Sequence, residues 1–100
     1  MENMPLSEPS DSDIVLAALA GDHQAFASLV ERYVGAIYKF SYRYVRNGPD
    51  AEDIAQETFL RVWKNLKQFD ISKNFRTWIY TIAKNASLDL LKKKKPMPFS

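Results

Sequence analysis

One hundred residues make about one small domain. The lack of cysteine and the single histidine, His23, exclude disulfides and thiolate metal sites and leave almost nothing for a zinc site or a histidine-based triad. The net charge of +2 is small but unevenly laid out: residues 1–31 hold acids and no Lys or Arg, whereas residues 74–95 carry Arg76, Lys84 and the run 92–95 against Asp89 alone. A basic end on a nearly neutral chain suggests an anionic partner for that end, a solvated lysine tail being the plain alternative.

Residues 1–10 are polar and proline-containing, with neither the basic start nor the apolar core of a signal peptide. They are expected to form a flexible tail. No apolar run approaches the roughly 18 residues that span a bilayer, so a cytoplasmic location is the default expectation.

Four helical segments follow, and no strand pattern competes with them. Ser10 can cap a first helix, with Asp13 three residues on. That helix runs to Ala20, where Gly21 supplies a stop. Asp22 caps the second helix, which extends from His23 to about Arg46. Phe26, Val30, Tyr33, Ile37, Phe40 and Tyr44 step along it by threes and fours, an aromatic-rich stripe read first as core. The Asn47-Gly48-Pro49 turn ends it. A third helix spans about residues 50–66 on a core stripe of Ala51, Ala55, Phe59, Val62 and Leu66. Residues 67–73 form a loop whose only aromatic is Phe69. Asn74 can cap a fourth helix, in which Phe75, Ile79, Ile82, Ala83, Ala86 and Leu90 share a face. Pro96 and Pro98 end it, and residues 96–100 look like the start of a linker. Short joints favour an all-α fold, a compact antiparallel bundle of about four helices.

Two surfaces stand out. On the third helix Asp53, Glu57, Leu60 and Lys64 fall on one stripe opposite the core, with Gln56 beside them. An apolar residue rimmed by acids and an amide fits a partner-binding stripe. The competing reading is a solvated face on which Glu57 and Arg61 pair. On the fourth helix Arg76, Thr77, Tyr80, Thr81, Lys84 and Ser87 lie away from the core, while Trp78, Asn85 and Asp89 lie along a flank. Cations that neutralise phosphate and rings that stack on bases are the mixture that holds single-stranded nucleic acid, and Asn85 can bond a base edge. Trp78 reads best as core that supports this surface from behind. Phe69, Asp70, Ser72, Lys73 and Asn74 form a polar loop able to receive an extruded base.

Catalysis has little to work with. The acids Asp50, Glu52, Asp53 and Glu57 lack the accompanying Glu-x-x-His pair of a carboxylate metal site, and three scattered glycines make no phosphate loop. No catalytic residue, cofactor or metal is expected. A plain helical interaction module without DNA function remains as an alternative, and a metal-dependent enzyme is a more remote one.

Three motifs carry a resemblance: residues 22–26 (DHQAF), 51–59 (AEDIAQETF) and 74–85 (NFRTWIYTIAKN). In this order and spacing the chain resembles region 2 of the extracytoplasmic function (ECF) sigma factors, over about residues 12–95. The resemblance implies a helical domain, residues 11–95, that binds the clamp helices of the RNA polymerase β′ subunit and recognises and melts the −10 promoter element on the non-template strand. It implies that Asp53, Gln56, Glu57, Leu60 and Lys64 face polymerase. Arg76, Tyr80, Lys84 and Asn85 match the melting and recognition helix, and residues 69–74 match the loop that accepts a flipped base. Relatives often carry arginines where this chain has Thr81 and lysines, and lysine is a point charge, not a bidentate fork. A complete ECF factor continues into region 4, a helix-turn-helix domain not found in this sequence, so recognition of a whole promoter is not expected of it. An anti-sigma partner is implied as well, and a monomer is the default.

Overall fold

The computed structural model describes residues 8–94, which form four α-helices and one short 3₁₀ turn. Helix α1 spans Asp11–Leu19, α2 His23–Val45, α3 Gly48–Asn65 and α4 Phe75–Lys94, with the 3₁₀ turn at Leu66–Gln68. The expected all-α architecture is observed. Residues 1–7 of the expected tail, Lys95 at the end of the expected domain, and the expected linker, residues 96–100 with Pro96 and Pro98, lie outside the described residues.

The helix starts follow from their caps. Ser10 Oγ accepts from Asp13 N at 3.1 Å, and Asp22 Oδ1 accepts from Gln24 N and Ala25 N at 3.0 and 3.3 Å. Asn74 Oδ1 accepts from Thr77 N at 2.9 Å. Each bond satisfies an amide that a first turn leaves without a partner. Gly21 sits at φ +104°, a conformation that glycine adopts without strain, which makes the tight α1–α2 joint possible. The Asn47-Gly48-Pro49 segment starts α3 as well as ending α2: Asn47 Oδ1 caps Asp50 N at 2.8 Å and Pro49 lies in the first turn, where no amide is needed.

The core joins all four helices and contains Val15, Leu29, Tyr33, Ile37, Phe59, Val62, Phe75 and Ile79. The α3 stripe is buried as expected, with Ile54 and Thr58 added. In α2 the buried row is Ala25, Leu29, Tyr33, Ile37 and Ser41, which shares Tyr33 and Ile37 with the expected aromatic stripe and departs from it by one position on either side of them. Phe26, Val30 and Phe40 pack against its edge, half-buried. In α4 the buried row is Phe75, Ile79, Ala83, Ala86 and Ser87, with Ile82 and Leu90 half-buried. Ser87 therefore does not lie on the outer face: it is fully buried and donates to Ala83 O at 2.8 Å, a bond that satisfies the hydroxyl inside the bundle.

Candidate functional site

The outer stripe of α3 is solvent-facing throughout: Asp53, Gln56, Glu57, Leu60 and Lys64 are all exposed. The fold divides it between two clefts. Gln56 and Leu60 stand on an apolar groove between α2 and α3, lined also by Phe26, Val34, Tyr38 and Trp63. Leu60 is 53% exposed and Trp63 48%. Trp63 packs edge-on against Phe26 with ring centroids 4.9 Å apart. Asp53 and Glu57 instead line a cleft towards α4 with Arg61 and Asp89. There Arg61 Nε donates to Glu57 Oε2 at 2.9 Å and Nη2 to Asp89 Oδ2 at 3.1 Å. The bond that Arg61 donates to Glu57 first, and the one it donates to Asp89 after it, raise the guanidinium pKa further, against the opposing effect of burial. The Glu57–Arg61 pair and the exposed Leu60 thus coexist. Sequence reasoning passed over Trp63, although it is a large ring outside the core stripe and three residues beyond Leu60.

On α4, Arg76, Thr77, Tyr80, Thr81 and Lys84 line one shallow cleft with Phe40 of α2. The Arg76 guanidinium carbon lies 5.4 Å from the Tyr80 ring centroid and 5.9 Å from that of Tyr33, within cation–π range of both. Tyr80 meets Phe40 edge-on at 5.0 Å, and Phe40 meets Tyr44 at 5.4 Å. A row of rings from α2 therefore backs the α4 cations, which the α2 periodicity alone did not reveal. Asn85 is exposed but turns to the other flank, beside Arg61, Leu88 and Asp89. Trp78 is half-buried against the core, 4.9 Å from Phe69 and 5.7 Å from Phe75, as befits a supporting ring.

The loop before α4 is ordered by its own polar groups. Asp70 Oδ1 accepts from Ser72 Oγ at 2.7 Å and Ser72 N at 2.9 Å, and the two bonds hold its carboxyl below the usual range. Lys73 N closes the turn on Asp70 O at 2.8 Å. Ser72, Lys73 and Asn74 are exposed. Phe69 is 7% exposed, wedged between Phe75 and Trp78, so its ring forms the floor of the loop beneath the polar side chains. Ile71, at the loop tip, is an exposed apolar residue that the sequence reading passed over. The chemistry available on this side is phosphate neutralisation, ring contact and hydrogen bonding.

Residues 29–96 match the family described as Sigma-70 region 2. The chain is 49% identical over 76 residues to the ECF RNA polymerase sigma factor SigW of Bacillus subtilis, covering 76% of this chain and 41% of that protein. It is 33% identical over 93 residues to the RNA polymerase sigma factor CnrH of Cupriavidus metallidurans, covering 91% of this chain and 49% of that protein. The chain thus spans under half the length of these two relatives. Among solved structures it is similar to an engineered region 2 of sigmaE in complex with GTAAAA, determined by NMR, with a TM-score of 0.83 and 37% identity over 89% of this chain and 94% of that one. Family match, relatives and fold agree: the chain belongs to the sigma-70 region 2 family, among the ECF sigma factors.

Proposed function

We propose that this chain, over residues 11–95, is a domain that docks on RNA polymerase core through the β′ clamp helices and recognises and melts the promoter −10 element. The observation that carries the reading is Arg76, backed by the Tyr33 and Tyr80 rings and beside Lys84, in a chain 37% identical to a region 2 solved with GTAAAA. Polymerase docks on the α3 stripe with Leu60 and Trp63 as apolar anchors and Asp53, Gln56, Glu57 and Lys64 as the rim. Promoter single strand runs along Arg76, Tyr80 and Lys84, with a base received above Phe69 by Asp70, Ser72, Lys73 and Asn74. Asn85 bonds from the flank.

Melting needs no bond chemistry, and the domain is not an enzyme. It binds the opened strand better than the duplex, which shifts the population of open DNA. Extruding a base costs a few kcal/mol, and stacking returns about 1–3 kcal/mol per base. The two nearly cancel, so free-domain binding to DNA is weak and depends on polymerase. The domain acts as a cytoplasmic monomer and is held by an anti-sigma factor until needed. Among the described residues no helix is long and apolar enough to cross a membrane.

The test is anisotropy of labelled domain titrated with bacterial core RNA polymerase. Wild type saturates. Leu60→Asp loses at least about tenfold in affinity and keeps its circular dichroism, because Leu60 is not core. In parallel, single-stranded GTAAAA binds weakly, and binding falls with salt. A folded wild type that binds no polymerase overturns the docking reading.

A further inference from the structure

Arg76 does not stand on α4 alone. One of the rings beneath it, Tyr33, is buried in α2, and its hydroxyl donates to Asp11 Oδ2 at the start of α1. The other oxygen of the same carboxylate, Asp11 Oδ1, accepts from Arg32 Nη1 at 3.0 Å, and Arg32 Nη1 also donates to Pro9 O at 2.9 Å. Arg32 Nη2 reaches Glu8 Oε1 at 3.4 Å. The first turn of α1 is thus latched to α2 by one arginine and one phenol, and the phenol ring lies under the α4 cation. The Tyr33 pKa is pushed up to about 12, by burial first and by the Asp11 bond and charge next, while Arg76 pulls it the other way. The Asp11 anion and the Arg76 cation therefore act on the same phenol.

We propose that Tyr33, anchored by Asp11 of α1, is a positioning residue that aims the Arg76 guanidinium at the nucleic-acid strand, so that α1 supports the DNA face without touching DNA. The core packs the Tyr33 ring, and the Asp11 bond fixes its hydroxyl end; without that bond the ring can settle differently in its pocket and Arg76 loses part of the support beneath it. The acids at this end of the chain then have a role in DNA binding despite their sign. This inference rests on the reading of α4 as the DNA face.

The experiment is a double-mutant cycle with labelled single-stranded GTAAAA at low salt. Tyr33→Phe keeps the ring and removes the hydroxyl, and Asp11→Asn removes the anion, so the pair does not depend on one variant folding. Both are expected to bind the strand more weakly, by up to about three- to tenfold, with the worth of one hydrogen bond as the ceiling for an effect that acts only through the aim of Arg76. Both are expected to lower the salt slope towards that of Arg76→Ala, and to bind core polymerase as wild type does. In an Arg76→Ala background, Tyr33→Phe should cost nothing more, because it acts only through Arg76. Wild-type DNA affinity in both variants, or a loss of equal size with and without Arg76, overturns the proposal. If Arg76→Ala itself leaves affinity unchanged, the DNA reading of α4 fails and this inference with it.

Discussion

Three small hydroxyl residues, Ser41, Thr58 and Ser87, are fully buried in the bundle. Thr58 Oγ1 donates to Ile54 O at 2.7 Å and Ser87 Oγ to Ala83 O at 2.8 Å, the usual route by which a helix interior absorbs a hydroxyl. Ser41 Oγ is buried without a hydrogen-bond partner among the described residues. A buried polar group left unpaired costs free energy that an apolar replacement of similar size does not. Ser41→Ala is therefore expected to raise stability by up to about 1 kcal/mol, read as a higher urea midpoint with an unchanged slope. Thr58→Val and Ser87→Ala remove satisfied bonds and should gain nothing. Equal gains at all three positions would mean that the pairing does not decide the outcome.

Three of the four helix starts were plain in the sequence because capping is local chemistry, whereas the Asn47 cap of α3 was read only as the end of α2. Ser10, Asp22 and Asn74 each accept from an amide two or three residues on, as their side chains allow. The core face of α2 was less legible. Its aromatics drew the eye to Phe26, Phe40 and Tyr44, but the closest packing needs the smaller Ala25, Leu29 and Ser41, and the rings spread along the edges instead. Those edge rings are what back the two proposed interfaces, Phe26 beneath Trp63 and Phe40 beneath Tyr80. The α3 stripe was read from period alone, and its exposure held because its residues stand outside the buried row, with Gln56 and Leu60 on the rim of the cleft towards α2 and Asp53 and Glu57 on that towards α4. Asn74 belongs both to the start of α4 and to the loop, which gives a prediction at this scale. Asn74→Ala should cost about 1 kcal/mol of stability through the lost cap and weaken GTAAAA binding as the loop loosens. Polymerase binding, on α3, should not change. A variant that loses polymerase and DNA equally would show general unfolding instead.

Charge layout was the most visible feature of the whole chain and the most incompletely read, because sequence shows where charges are and not what they meet. The lysine run looked like a free basic end, yet Lys94 Nζ lies 3.0 Å from Asp50 Oδ1 and ties the end of α4 to the start of α3. The acids near the N-terminus showed no partner in the sequence around them, yet Asp11 latches α1 to α2. Both ties titrate, at opposite ends of the pH scale. Asp50 is held below its ordinary pKa by the Asn47 side chain first and Lys94 next. A depressed carboxyl stabilises the fold above its unfolded pKa of about 4, and that contribution is lost as pH falls through the folded value. Tyr33 has the reverse sense. Its raised value of about 12 means that the folded state keeps a proton that the unfolded chain gives up near 10, so its contribution is complete below pH 10 and lost as pH rises towards 12. Thermal melts of wild type, Asp50→Asn and Tyr33→Phe across the pH range separate the two. The gap between wild type and Asp50→Asn should be steady at neutral pH and close on the acid side. The gap to Tyr33→Phe should be steady at neutral pH and close only on the alkaline side. If both gaps stay constant from acid to alkali, ionisation at neither tie is coupled to folding.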